Sequence, residues 1–257
     1  MLYHWQRFDE ERLARTLNEL TIYCSSPGDF NDPWDCKPFF STEILADPLE
    51  NEKHIAWAVD LCRRRTPMSD PDIEAMKETL RNDPTGAAAL VRDISESMEA
   101  AILLQYRVYC LGPEVGNLLM WAHYADSHRG VCLEFSLRND VVCSALKCEY
   151  LSGFPIMRLH GREDADALQI LLAKAESWSY EKEYRIIAQE REHAVGTGTL
   201  ITDKGFLKLS RGSLVSVIVG CKGDYEKVSK LVQELAPDVK IKRAVRVPNK
   251  YALNIEE

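Results

Sequence analysis

Asn117-Leu118-Leu119-Met120-Trp121-Ala122-His123-Tyr124-Ala125-Asp126-Ser127-His128-Arg129-Gly130-Val131-Cys132-Leu133-Glu134-Phe135 carries two different periodicities in nineteen consecutive residues. Leu118, Trp121, Ala122 and Ala125 recur at the three- and four-residue spacing of a buried helix face, whereas Val131, Leu133 and Phe135 alternate as they would on one face of a strand. The spacing therefore predicts a helix over 116–124 and a strand over 131–135. Outward from this junction, strand patterns fall at 21–24, 106–111, 146–150, 183–189, 199–202, 215–219, 239–247 and 251–255. Helical patterns fall at 9–20, 51–65, 72–80, 165–175 and 226–235, and a longer helix begins near 83 and carries Leu90, Ile94, Met98 and Ile102. Interspersed strands and helices of this kind predict an α+β fold with a central antiparallel or mixed sheet, flanking helices and a helical insertion at about 51–104, in one domain over 1–257.

Composition bounds the function classes. The chain has 257 residues, 46% hydrophobic and 28% charged, enough apolar side chain to bury a core. Forty acidic residues against 32 basic ones give a net charge of −8, which argues against general attraction to nucleic acid or an anionic membrane while leaving room for a local basic groove. Eight cysteines are scattered without close pairing, as expected of reduced thiols in a chain large enough to need no disulfide scaffold. The opening Met1-Leu2-Tyr3-His4-Trp5-Gln6-Arg7 turns polar at once, and no run approaches 18 apolar residues. A cytoplasmic location without membrane partners is the expectation.

Two segments concentrate polar and aromatic chemistry. His128 and Arg129 sit in the connection between helix and strand, where a loop on a rigid scaffold can meet a ligand, while Asp126-Ser127 and Gly130 equally suit a helix end and a tight turn. In Trp178-Ser179-Tyr180-Glu181-Lys182-Glu183-Tyr184-Arg185-Ile186-Ile187, strand geometry puts Glu183 and Arg185 on one face, as a salt bridge or as the frame of a polar ligand. The combined expectation is that His128, Arg129, Glu183 and Arg185 approach one cleft walled by Trp178 or Tyr124. His123 and His128 lack the spacing of a zinc helix, and no glycine-rich nucleotide fingerprint, phosphate loop or nucleophile elbow is present, so no metal site is expected.

Leu2-Tyr3-His4-Trp5, the stretch Ser25-Ser26-Pro27-Gly28-Asp29-Phe30-Asn31-Asp32-Pro33-Trp34, residues 120–135 and residues 178–185 together resemble the bacterial family called domain of unknown function 2971. The resemblance spans nearly the whole chain and implies a compact α+β protein that gathers these polar segments, without implying a reaction. Lysine is expected at the place of His4 in many such proteins, so no role that demands histidine there is implied. A weaker likeness to ADP-ribosyltransferase-like proteins implies NAD as cofactor, with Glu183 as the late glutamate that supports transfer or hydrolysis. It further places Tyr3 on an early site strand, Tyr124 in the pocket, and Arg129 or Arg185 with His128 near the pyrophosphate, Glu134 being the reserve acid. The transfer target would be a protein or nucleic acid. The alternative is a non-enzymatic regulatory module that binds a nucleotide or a protein, with bacterial defence as one setting.

Overall fold

The structure is a computed structural model that describes residues 1–41, 43, 46–157, 163–195 and 199–257, with side chains at all of these except 65, 84, 87, 90 and 163–166. Leu90 of the expected helical stripe and Ala165 of the expected sixth helix therefore lie outside the described side chains. The chain divides into two compact units, one formed by Met1–Asn31, Leu104–Tyr150 and Glu176–Glu257, the other by Asp32–Leu103 and Leu151–Ala175.

In chain order the elements are β1 (Leu2–Gln6), α1 (Glu10–Glu19), β2 (Thr21–Tyr23), α2 (Pro48–Arg65), α3 (Asp70–Asn82), α4 (Pro84–Gln105), β3 (Tyr106–Leu111), α5 (Leu118–Tyr124) and β4 (Val131–Phe135). They continue with β5 (Leu146–Lys147), β6 (Glu149–Leu151), α6 (Glu163–Leu172), β7 (Ala173–Ala175), β8 (Tyr184–Glu190) and β9 (Leu200–Thr202). The last are β10 (Phe206–Lys208), β11 (Leu214–Val219), α7 (Tyr225–Leu235), β12 (Lys240–Arg246) and β13 (Leu253–Glu256). The fold is α+β, as the periodicities predict.

A mixed five-stranded sheet, ordered β1-β4-β11-β12-β13, organises the first unit. β11 and β12 run parallel through the α7 crossover, and every other neighbouring pair is antiparallel. All five residues of β4 are buried because both faces of the sheet are covered. Val131, Leu133 and Phe135 meet a core that includes Leu13 and Leu17 of α1 and Val228 and Val232 of α7. Cys132 faces the other way, with Trp5, Ile218 and Ala244, under Met120, Trp121 and Ala125 from α5 and its end. Glu134 shares the α5 side of the strand by alternation. A second sheet runs β3-β8-β5 with β9 beside β8, and β2 pairs with β10.

Side-chain caps fix the helix starts. Asp9 accepts from Arg12 N at 2.9 Å to open α1, and Asp224 accepts from Lys227 N at 3.1 Å to open α7. In the second unit Asp47 caps Leu49 N at 2.8 Å and Pro48 occupies the first helical position, so α2 starts three residues before the periodicity alone indicates. Ser69 and Asp72 form a capping box on α3, and Asp83 Oδ1 accepts from Gly86 N at 2.9 Å at the start of α4. Buried side chains on these helices include Ile55, Ala58 and Val59, then Ile73, then Val91 and Ile102.

Two local readings are corrected. The expected helix over 165–175 ends at Leu172 and Ala173–Ala175 is a strand: good helix formers there give way to tertiary context, with Lys174 buried between less buried neighbours. The expected strand over 146–150 is two pieces, because Cys148 N still donates to Glu183 O at 2.9 Å beside β8 and the chain then leaves as β6. In β12, Lys240, Lys242, Ala244 and Arg246 share one face, on which Ala244 is fully buried and Lys242 turns inward to an acid.

Candidate functional site

α5 is held at both ends. Asn117 Oδ1 accepts from Leu119 N at 3.1 Å and Met120 N at 3.4 Å, while its Nδ2 donates to Tyr180 O at 2.8 Å. Trp121 is fully buried and its Nε1 donates to Val115 O at 2.7 Å. The helix ends in three successive left-handed residues, Asp126, Ser127 and His128, with φ of 46°, 54° and 71°. Such a run costs about 1 kcal/mol or more per residue and persists only where the surroundings impose it.

Here the surroundings are the turn after β11. Lys222 N donates to His128 O at 3.0 Å and Gly220 N donates to Gly130 O at 2.9 Å, stitching the two loops together. Only glycine fits at the seam, since a Cβ on Gly220 would stand 2.3 Å from His128 O and one on Gly130 2.2 Å from Gln6 O. His128 is thereby fixed half-buried, its ring nearly parallel to Trp121 at 6.4 Å. Its Nδ1 has no hydrogen-bond partner, and burial together with the Lys222 ammonium lowers its pKa.

His128, Cys221 and Lys222 form one flank of an open cleft of about 1220 Å³ whose other flank is the β12–β13 hairpin. Among the described residues, its charged lining is Lys222, Arg243, Arg246 and Lys250 against a single acid, Glu256, a local excess of cations in a chain that is acidic overall. Tyr251 at the hairpin tip is 100% exposed and lines the same cleft.

A second polar cluster lies on the α5 side of the sheet. The Glu134 carboxylate accepts from Tyr3 OH at 3.3 Å, Ser216 Oγ at 2.5 Å and Lys242 Nζ at 2.8 Å. Burial would raise the Glu134 pKa, but the Lys242 ammonium and the two hydroxyls outweigh it and hold the carboxyl below its ordinary value. The same carboxylate and, first, burial push the Tyr3 phenol up to about 12. Neighbouring His4 is half-buried, its ring stacked on Tyr109 at 4.1 Å and its Nδ1–H donating to Cys110 O at 2.8 Å, and desolvation pushes its pKa down to about 3.

Tyr124 belongs to a third grouping. Its OH donates to Glu181 at 2.6 Å, and the rings of His123, Tyr124, Trp178 and Tyr180 stand 6.0–6.5 Å apart in the contacts that link them. Glu183 and Arg185 are buried at 2% and 0% exposure and meet through Arg185 Nε to Glu183 Oε1 at 2.9 Å and Nη2 to Oε2 at 3.2 Å, with Phe30 over the guanidinium at 5.4 Å. Arg129 is exposed, its Nη1 reaching Asp126 O at 3.5 Å.

The six residues singled out from sequence thus fall in distinct places: Tyr3 with Glu134, Tyr124 with Glu181, Glu183 with Arg185, His128 in the basic cleft and Arg129 on the loop beside it. Among the described residues, the cleft lining includes His128 and neither Glu183 nor Arg185. Lys222, Arg243, Arg246 and Lys250 were not anticipated; the signal for them was the basic alternation of 240–246 continued by Lys250. No group of three or more metal-ligating side chains occurs among the described residues, nor a helix long and apolar enough to cross a membrane.

Fold and site together define an α+β protein whose strained loop and basic cleft adjoin a mixed sheet. A family model described as "Protein of unknown function (DUF2971)" matches residues 120–186, the stretch from α5 through the left-handed loop and β4 to the start of β8. The likeness to the domain of unknown function 2971 family is supported there. No curated protein and no solved structure matches the chain, and the comparisons support neither the ADP-ribosyltransferase likeness nor a place in defence.

Proposed function

We propose that the protein binds the phosphate groups of a nucleotide in the cleft between His128 and the β12–β13 hairpin, acting as a nucleotide-binding regulatory module. The observation that carries this reading is the set of four cations facing one carboxylate around a half-buried histidine with an unpartnered nitrogen. Arginine forks at 243 and 246 suit a pyrophosphate, Tyr251 offers a ring for a base to stack on, and Glu256 can accept from a ribose hydroxyl. NAD and ADP-ribose are the ligands to test first. The reading gives Glu183 a role in the fold, since its carboxylate is engaged with Arg185 in the interior. Chemistry on NAD would release nicotinamide, and nicotinamide release separates an enzyme from a module that only binds.

Isothermal titration calorimetry with NAD, ADP-ribose and ATP, at two salt concentrations, tests the proposal. Saturable binding that weakens with salt is expected, and Arg246→Ala should weaken it about ten- to a hundredfold, the worth of a charge-assisted hydrogen bond. Absence of saturable binding by all three ligands, or unchanged affinity in an Arg246→Ala/Lys250→Ala variant, overturns the reading.

A further inference from the structure

The second unit holds a pocket of about 190 Å³ lined by Trp34, Cys36 and Lys37, by residues 151–155, and by the end of α6 with β7, none of which lines the basic cleft. Its lining grades from the interior to the surface: Ile170 and Cys36 are 1% and 2% exposed, Phe154 41% and Trp34 65%. Phe154 is braced by stacking on Phe39 at 5.8 Å. Cys36 holds a left-handed φ of 57°, a conformation that a residue with a side chain keeps only where its surroundings impose it. Among the described residues the charged lining is Lys37 and Lys174, and each already faces an acid. Lys37 bonds to Glu99, and Lys174 Nζ lies 3.9 Å from Asp35 Oδ2, with those two side chains 7% and 2% exposed.

Matched charge and apolar walls together select the ligand class. A charged occupant would leave water for a wall whose cations already have their counter-ions, so its own desolvation would go uncompensated. An uncharged occupant escapes that cost, and it takes the Trp34 and Phe154 rings out of water. Volume bounds the size: an apolar cavity of about 150 Å³ accepts benzene, so this one accommodates a single six-membered ring with one small substituent. We propose that the pocket binds a small uncharged hydrophobic ring compound, seated on Ile170 and covered by Phe154 and Trp34.

The test uses the full chain and three single-ring probes of similar size, neutral toluene, anionic benzoate and cationic benzylamine, titrated by calorimetry. Toluene is expected to bind saturably and about tenfold or more tightly than either ion. Ala173→Leu fills the pocket from the β7 wall and should weaken toluene by about tenfold or more. Gly153→Leu should do the same with little effect on the fold, since Gly153 lines the pocket and an added Cβ there meets no heavy atom within 4 Å. No saturable toluene binding to the folded wild type, benzoate or benzylamine binding as tightly as toluene, or undiminished toluene affinity in either folded variant each overturns the proposal. If circular dichroism finds Ala173→Leu unfolded, Gly153→Leu decides alone, and undiminished toluene affinity in it overturns the proposal.

Discussion

Replacing Lys242 by methionine removes the ammonium from the most heavily loaded carboxylate on the α5 side of the sheet. Glu134 is 8% exposed at its side chain and Lys242 18%, so the pair is mostly out of water. Stripping one partner from a buried pair costs about 3–5 kcal/mol because the other charge is left uncompensated. Tyr3 and Ser216 still donate to Glu134, and the wild-type pair is partly hydrated on the Lys242 side, which brings the expected cost to about 2–3 kcal/mol at pH 7. The sign with pH distinguishes this mechanism from lost packing. In the wild type the folded Glu134 pKa lies below the unfolded value, so its stabilisation is complete above about pH 4.3 and is lost as pH falls through the folded pKa. In Lys242→Met burial is no longer opposed by the ammonium and the folded pKa rises above the unfolded one. The deficit of the variant is then largest at neutral pH and shrinks as acid protonates Glu134. Urea unfolding at pH 7.5, 6, 5 and 4, followed by tryptophan fluorescence, measures it. A deficit that stays constant across that range, or one under about 0.5 kcal/mol at pH 7, would refute the burial of this charge pair.

His4 gives the wild type a second pH dependence: with its folded pKa near 3, stability falls as pH drops below the unfolded value of 6.5, by about 2 kcal/mol at pH 5. His4→Phe should remove that part of the slope in the same unfolding series. Gly220→Ala places a Cβ 2.3 Å from His128 O and should destabilise by about 2 kcal/mol or more, with loss of nucleotide affinity in calorimetry; a neutral effect would show that the two loops are not clamped. NAD keeps its charge between pH 6 and 8, so its binding should tighten toward pH 6 as His128 takes up a proton against the phosphates, and His128→Gln should flatten that dependence.

What the sequence made legible was local in origin. Leu118, Trp121 and Ala125 against Val131, Leu133 and Phe135 distinguish a helix from a strand because each pattern depends only on its own period. The pairing of Glu183 with Arg185 needs no more than two residues of strand geometry. Helix α2 starts early for an equally local reason, the cap at Asp47 followed by Pro48, a signal outweighed in reading by the later apolar spacing. The run at 165–175 shows the opposite limit, since nothing in its own composition records the tertiary context that turns Ala173–Ala175 into a strand.

The two clusters with the densest polar chemistry are non-local, and for that reason the sequence hid them. Ser216 and Lys242 stand 82 and 108 residues from Glu134 and reach it only because β11 and β12 lie in sequence beside β4 in the sheet. Each basic residue of the cleft is, alone, ordinary surface charge; Lys222 joins Arg246 and Lys250 because a parallel crossover brings the end of β11 beside the end of β12. The left-handed run at Asp126-Ser127-His128 is the exception that was half visible, through Gly130 and the abrupt change of period around it. Its backbone strain is imposed by the seam with Gly220 and Lys222, so the residues that hold His128 at the cleft come from both ends of the sheet sequence. A site assembled in this way is altered by changing the seam as readily as by changing the histidine, which is why Gly220→Ala and His128→Gln are expected to act on the same binding event.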